Sequence, residues 1–196
     1  MLSKTFAGGI LLVFSMHDAY AQRSFGGTPE SFNSGIKSAL LEVAMPIVSA
    51  DSLRKSDSIE SLKGIKTYRF AKAFEVNFTP ENSGAWITSQ KGTRVWRLAI
   101  YSKDAYSIGI SFRDFYPVPG SRIYIYNPEH TEILGAFTSD NITPGACLVT
   151  YPIPSDRVTV EYDLPPGQPQ TGGFTIGIVA HDYKNAFGKN ASSELN

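Results

Sequence analysis

From residue 66 onward, apolar side chains recur at every second position. Tyr68/Phe70, Phe74/Val76/Phe78, Trp96/Leu98/Ile100, Ile108/Ile110/Phe112, Ile123/Ile125, Val158/Val160/Tyr162 and Phe174/Ile176/Ile178 each alternate with polar or small residues. Successive side chains of a strand point to opposite faces, so this period predicts strands with one face in a core. Pro, Gly and Asn punctuate the runs at 79–84, 117–120, 143–145 and 165–167, where turns are needed. Many short strands with no helical period between them predict an all-β fold, an antiparallel β-sandwich of jelly-roll or Greek-key type. No fixed repeat is visible, which argues against a propeller or solenoid.

Upstream the pattern changes. Leu53, Ile59 and Leu62 stand near helical spacing, with Asp51 or Ser52 able to cap, and predict a short helix over 52–62. Residues 22–35 are small and polar with Gly and Pro, and read as an extended, mobile leader. The first 21 residues follow the grammar of a secretory signal. Lys4 gives a positive start, Ile10–Phe14 an apolar centre, and Ala19-Tyr20-Ala21 a cleavage site, with the cut expected between Ala21 and Gln22. That apolar centre is shorter than the roughly 20 residues a spanning helix requires. The expected organisation is therefore a signal peptide at 1–21, a leader and linker at 22–65, a β-sandwich at 66–184 and a tail at 185–196.

Composition narrows the function. Eighteen Lys and Arg balance eighteen Asp and Glu, so the basic excess usual in a nucleic-acid binder is missing. No segment after the signal reaches membrane-spanning length, and the chain is expected in the periplasm, at the cell surface or outside the cell. Cys147 is the single cysteine. One thiol cannot form an internal disulfide, so an exported domain of this kind must rest on its core. Lying in the strand-like run Ala146–Val149, Cys147 is expected to be a small buried hydrophobe.

Residues fit for chemistry are few. After the signal only His130 and His181 remain, and neither belongs to a Gly-x-Ser-x-Gly elbow or a Gly-Asp-Ser-Gly run. No Cys/His pair has metal-ligand spacing and no Asp-x-Asp calcium loop is present. Asp114, Glu129, Glu132 and Glu161 are scattered as solvent-facing charges usually are. The expectation is no catalytic residue, no metal and no cofactor. Tyr124 and Tyr126 alternate with Ile123 and Ile125, so they share the face away from the aliphatic core and are candidates for a ligand face.

The order of segments carries a resemblance. Leu53-Arg54-Lys55-Ser56-Asp57, Tyr68-Arg69-Phe70-Ala71, Val76-Asn77-Phe78-Thr79-Pro80-Glu81-Asn82-Ser83-Gly84-Ala85-Trp86, Val95–Ile100, Asp104–Ile108, Phe112–Tyr116, Pro119–Tyr126, Ile133–Thr138, Val158–Tyr162 and Ile178–Tyr183 together resemble the pro-region of secreted bacterial lysyl-endopeptidase-like serine proteases. The likeness spans about 45–185. It implies a β-rich domain that precedes a trypsin-like catalytic domain, and the family's triad lies beyond the stretch matched. The leader Phe25–Phe32 also looks like the start of proteins exported by Gram-negative bacteria. From the resemblance, Lys184 and Lys189 are candidate processing sites. Asp51-Ser52-Leu53 and Asp57-Ser58-Ile59 look like bacterial O-glycosylation sites, at Ser52 and Ser58.

Three functions follow as expectations. The first is a non-catalytic pro-domain that binds a protease catalytic domain, in cis or in trans, to assist its folding or to inhibit it until cleaved. The second is a stand-alone extracellular binding module for glycans or proteins, using Tyr124 and Tyr126. The third, a small secreted hydrolase, would need activity from residues 22–196 alone and a loss of it on changing His181.

Overall fold

The computed structural model describes residues 24–34, 36, 40–64, 68–168 and 173–187; the expected signal peptide, its Ala21–Gln22 cut and Lys189 lie outside them. In chain order the elements are α1 (Glu30–Asn33), β1 (Glu42–Ala44), α2 (Ala50–Leu62), β2 (Ala71–Phe78), β3 (Ala85–Thr88), β4 (Arg94–Tyr101), β5 (Ile108–Tyr116), β6 (Arg122–Tyr126), β7 (Ile133–Phe137), β8 (Leu148–Val149), β9 (Arg157–Leu164) and β10 (Gly173–Asp182). The fold is mostly β, as the period of two predicts. The described strands form two sheets. One runs β1-β4-β9-β6-β7, with β3 also on β4, and the other runs β2-β10-β5-β8.

Among the described strands every pairing is antiparallel but one. β3 lies along Arg94–Arg97 of β4 and leaves the rest of that edge open. β1 fills it in parallel register, Val43 beside Ile100. This departs from the expected all-antiparallel arrangement because β1 comes from the leader rather than from a hairpin, and so is free to run either way.

One core takes side chains from both sheets. Trp96, Leu98 and Ile100 of β4 and Val158, Val160 and Tyr162 of β9 meet Ile108, Ile110 and Phe112 of β5 and Phe174, Ile176 and Val179 of β10. Phe174 is the hub, with its ring 5.6 Å from Trp96, 5.1 Å from Phe112 and 5.4 Å from Tyr162. The polar tips in this core are satisfied: Trp96 Nε1 donates to the Ser83 carbonyl at 2.6 Å, and the Tyr162 hydroxyl accepts from Val118 N at 3.1 Å. Each such buried side chain contributes about 1.5–3 kcal/mol, so apolar burial stabilises the domain without a cross-link.

The predicted helix is present as α2, but it starts earlier, with Ser49 as its cap instead of Asp51 or Ser52. None of its residues is buried, and Ile59 and Leu62 face solvent. Polar groups tether it instead. An Arg54 guanidinium nitrogen donates to the Tyr183 carbonyl at 2.7 Å, and Asp57 accepts from Arg69 at 2.6 Å, from the Tyr183 hydroxyl at 2.7 Å and from Lys184 Nζ at 2.7 Å. Burial alone would push the Asp57 carboxyl up; the hydrogen bonds from Lys184, Tyr183 and Arg69 outweigh it and hold it at about 2.

Candidate functional site

Tyr124 and Tyr126 do lie opposite the aliphatic core, but neither is open. Both are buried, with Ala136 beside them and Phe32 packed on top. The cover is the segment 24–34, which composition alone marks as mobile. Phe25 N donates to Ala136 O at 3.1 Å, Ala136 N returns a bond to Gly26 O at 3.0 Å, and Ser24 Oγ donates to the Gly135 carbonyl. The segment therefore pairs with β7 like a short extra strand. It then crosses the sheet as α1, and Phe32 packs edge-on to Tyr126 at 4.8 Å and stacks on His130 at 3.9 Å. Gly27 makes the crossing possible. Its φ is +98°, and a Cβ there would stand 2.8 Å from the Tyr124 hydroxyl. The strap leaves no tyrosine platform for a glycan at these two rings.

Beneath the strap lie two buried carboxyls, Glu161, which its scattered position in the sequence predicts in solvent, and Asp163. Glu161 and Asp163 share the outer face of β9. Glu161 is 0% exposed and accepts from Ser31 N at 2.9 Å, Ser31 Oγ at 2.5 Å and the Tyr126 hydroxyl at 2.7 Å. Asp163 accepts from Glu30 N at 3.0 Å through one oxygen. Burial first, and the neighbouring Glu161 next, push Asp163 up to about 8. Burial also pushes the Tyr124 and Tyr126 hydroxyls up.

The opposite sheet carries an open surface. On its outer side Gly109 and Ser111 of β5 stand beside Ala180 and Ile178 of β10. Phe70, Ala71 and Phe187 wall one side; Val149, Thr150, Tyr151 and Pro152 wall the other. Together they bound a trough of about 750 Å³. The charged residue among the described lining, Asp182, spends its oxygens on Ser107 Oγ, Lys184 N and Ala186 N. The trough surface is thus apolar, with small residues on the floor and rings at the rim.

A bulge creates part of that floor. Ile176 pairs with Phe112, but Ile178 pairs with Ser111, so one extra residue enters β10 at Gly177. Strict alternation puts Ile178 in the core with Phe174 and Ile176. The slip turns Ile178 outward, 37% exposed, and gives its core place to Val179. No feature of the sequence beyond Gly177 signals the slip.

The remaining candidates fall apart in space. His181 is buried and its Nδ1 lies 2.8 Å from Ser102 Oγ, but Ser102 is 0% exposed, so no substrate reaches that pair. His130 packs on Phe32 at the surface. Cys147 is exposed, contrary to expectation, because Ala146 and Leu148 take the inward positions on either side of it. Ser52 and Ser58 are both exposed on α2, where Ser58 Oγ donates to the Arg54 carbonyl at 2.9 Å. Lys184 is half-buried and held by Asp57 between the rings of Tyr68 and Tyr183. Among the described residues no group of three or more His, Cys, Asp or Glu is placed to hold a metal ion. No described helix is long and apolar enough to cross a membrane. No known protein-family model matches the chain.

Proposed function

We propose that this chain is a non-catalytic binding domain, the N-terminal pro-domain of an exported lysyl-endopeptidase-like serine protease. The observation that carries the reading is the trough: an open apolar surface of about 750 Å³ on the outer side of the β2-β10-β5-β8 sheet. The order of sequence motifs supplies the partner. Two sheets around one core, read as a jelly-roll type of sandwich, give that face a rigid backing.

In this account an apolar strip of the protease lies in the trough, between Phe187 and Tyr151. A preformed face of this kind holds together segments distant in the protease sequence, whose pairing is slow because loop closure precedes any gain from contact. Tethering raises the effective concentration of the domain, and cutting the tether lets it dissociate. Lys184 and Lys189 are the proposed cutting points.

The test is inhibition in trans. The chain is added to a mature lysyl endopeptidase from the same source, and hydrolysis of a lysyl peptide is followed. Wild-type domain is expected to inhibit, and Ile178→Glu and Tyr151→Glu variants that remain folded are expected to inhibit at least tenfold less well. Equal inhibition by all three would sink the trough as the binding surface, and no inhibition or folding assistance by any would sink the pro-domain reading.

A further inference from the structure

We propose that the strap, residues 24–34, is a proton-controlled cover: it lies on the Tyr124–Tyr126 face while Asp163 carries a proton, and loosens as that proton is lost with rising pH. The inference is independent of the protease reading.

The geometry separates the two carboxyls by the donors they meet. Glu161 accepts from the amide and hydroxyl of Ser31 and from the hydroxyl of Tyr126. Asp163 has the Glu30 amide on one oxygen, while its other oxygen is buried and no donor reaches it among the described residues. A buried carboxylate oxygen without a donor disfavours the charge, and a neutral acid does not suffer that penalty. Asp163 is therefore the member of the pair that takes the proton.

The surroundings reinforce this assignment. From the strap comes Glu30, whose carboxyl adds negative charge beside Asp163, with one oxygen also buried and unpartnered. From β4, Arg97 stands opposite Glu161 in the register. From β6, Arg122 stands opposite Asp163 and Tyr124 opposite Glu161, and Tyr126 donates to Glu161. His130, in the loop after β6, faces Phe32 of the strap. Two arginines are thus close to the pair, yet burial first and the second carboxyl next still push Asp163 well above the usual carboxylate range.

The coupling to the strap follows from where the burial comes from. The strap supplies Glu30 and Ser31, which shut water out above both carboxyls. Lifting it rehydrates Asp163 and returns the group toward its ordinary value of 3.8. The docked state therefore binds the proton more tightly than the lifted state. Docking is strongest below the ordinary value and weakens as pH rises through the raised value of the docked state. Lifting the strap uncovers two tyrosine rings and a carboxylate pair, a face that is closed in acid.

The experiment is hydrogen exchange by mass spectrometry on the full chain between pH 5 and 9, with rates corrected for the intrinsic pH dependence of amide exchange. Peptides covering 24–34 report the strap and those covering 173–182 report the core. Strap protection is expected to fall at least tenfold from pH 5 to pH 9 while core protection holds. Asp163→Asn, which mimics the neutral acid, is expected to keep the strap protected throughout. Glu161→Gln, which removes the charge beside Asp163, is a second variant and is expected to shrink the fall. Equal strap protection at pH 5 and 9, an unchanged fall in both variants, or a matching fall in the core would each overturn the proposal.

Discussion

Ser102 Oγ and His181 Nδ1 lie 2.8 Å apart, both buried, and join the end of β4 in one sheet to β10 in the other. The pair resembles a nucleophile and its base only in distance. With no opening to solvent at Ser102, its role is to close one end of the core with a satisfied polar contact.

Burial lowers the proton affinity of His181 below its usual 6.5, against smaller opposing effects of Asp182 and Asp104. The unfolded chain then takes the proton first. Stability from this group is complete above about pH 6.5 and declines as pH falls below it. Urea unfolding at pH 8, 7, 6 and 5 should show that decline, and His181→Gln should flatten it. His181→Ala should cost about 1–3 kcal/mol at pH 8 by leaving the Ser102 hydroxyl buried without its partner.

The anchor of α2 makes a different prediction. Asp57 is held at about 2, so its contribution is present above its ordinary value of 3.8 and disappears only as pH falls toward 2. In Asp57→Asn the charge that pairs with both Lys184 and Arg69 is lost, at a cost of about 1 kcal/mol once solvent screening is allowed for. Its clearer signature is proteolytic. Lys184 Nζ is drawn toward Asp57 at 2.7 Å and away from solvent, so a lysine-specific endopeptidase should cut the variant after Lys184 several-fold faster than wild type. Equal rates would mean that the pair does not shield this site.

Gly27 offers a test of the strap that leaves the carboxyls untouched. A valine there must adopt φ near +98° and meet the Tyr124 hydroxyl, a strain of about 1–3 kcal/mol. Gly27→Val should leave the thermal midpoint of the core nearly unchanged and let chymotrypsin cut after Phe32 at least tenfold faster. A lowered midpoint with no faster cutting would show that the strap and the core unfold together.

These contrasts show which parts of the fold the sequence made legible. Trp96, Leu98 and Ile100, or Val158, Val160 and Tyr162, sit on strands buried on one side by a common core, and their period of two is direct. Ile178 escaped because a bulge changes parity without changing composition. The strap escaped for another reason. Its residues are small and polar, and they dock through backbone bonds to β7 and through carboxyls on β9, none of which leaves a periodic trace. The small-residue floor of the trough was likewise hidden, since Gly109, Ala180 and Ser111 acquire meaning only when β5 and β10 lie side by side. Helix α2 was legible from Leu53, Ile59 and Leu62, although those residues do not fill the core as helical spacing usually implies.

The central claim is that this domain serves a protease, and it is tested most directly in the native source. An antibody raised against residues 68–187 is used to follow the protein over time by immunoblot. The account predicts a larger precursor that converts into a species of this chain's size as lysyl endopeptidase activity appears. A single band of this size from the earliest time, with no precursor, would contradict it.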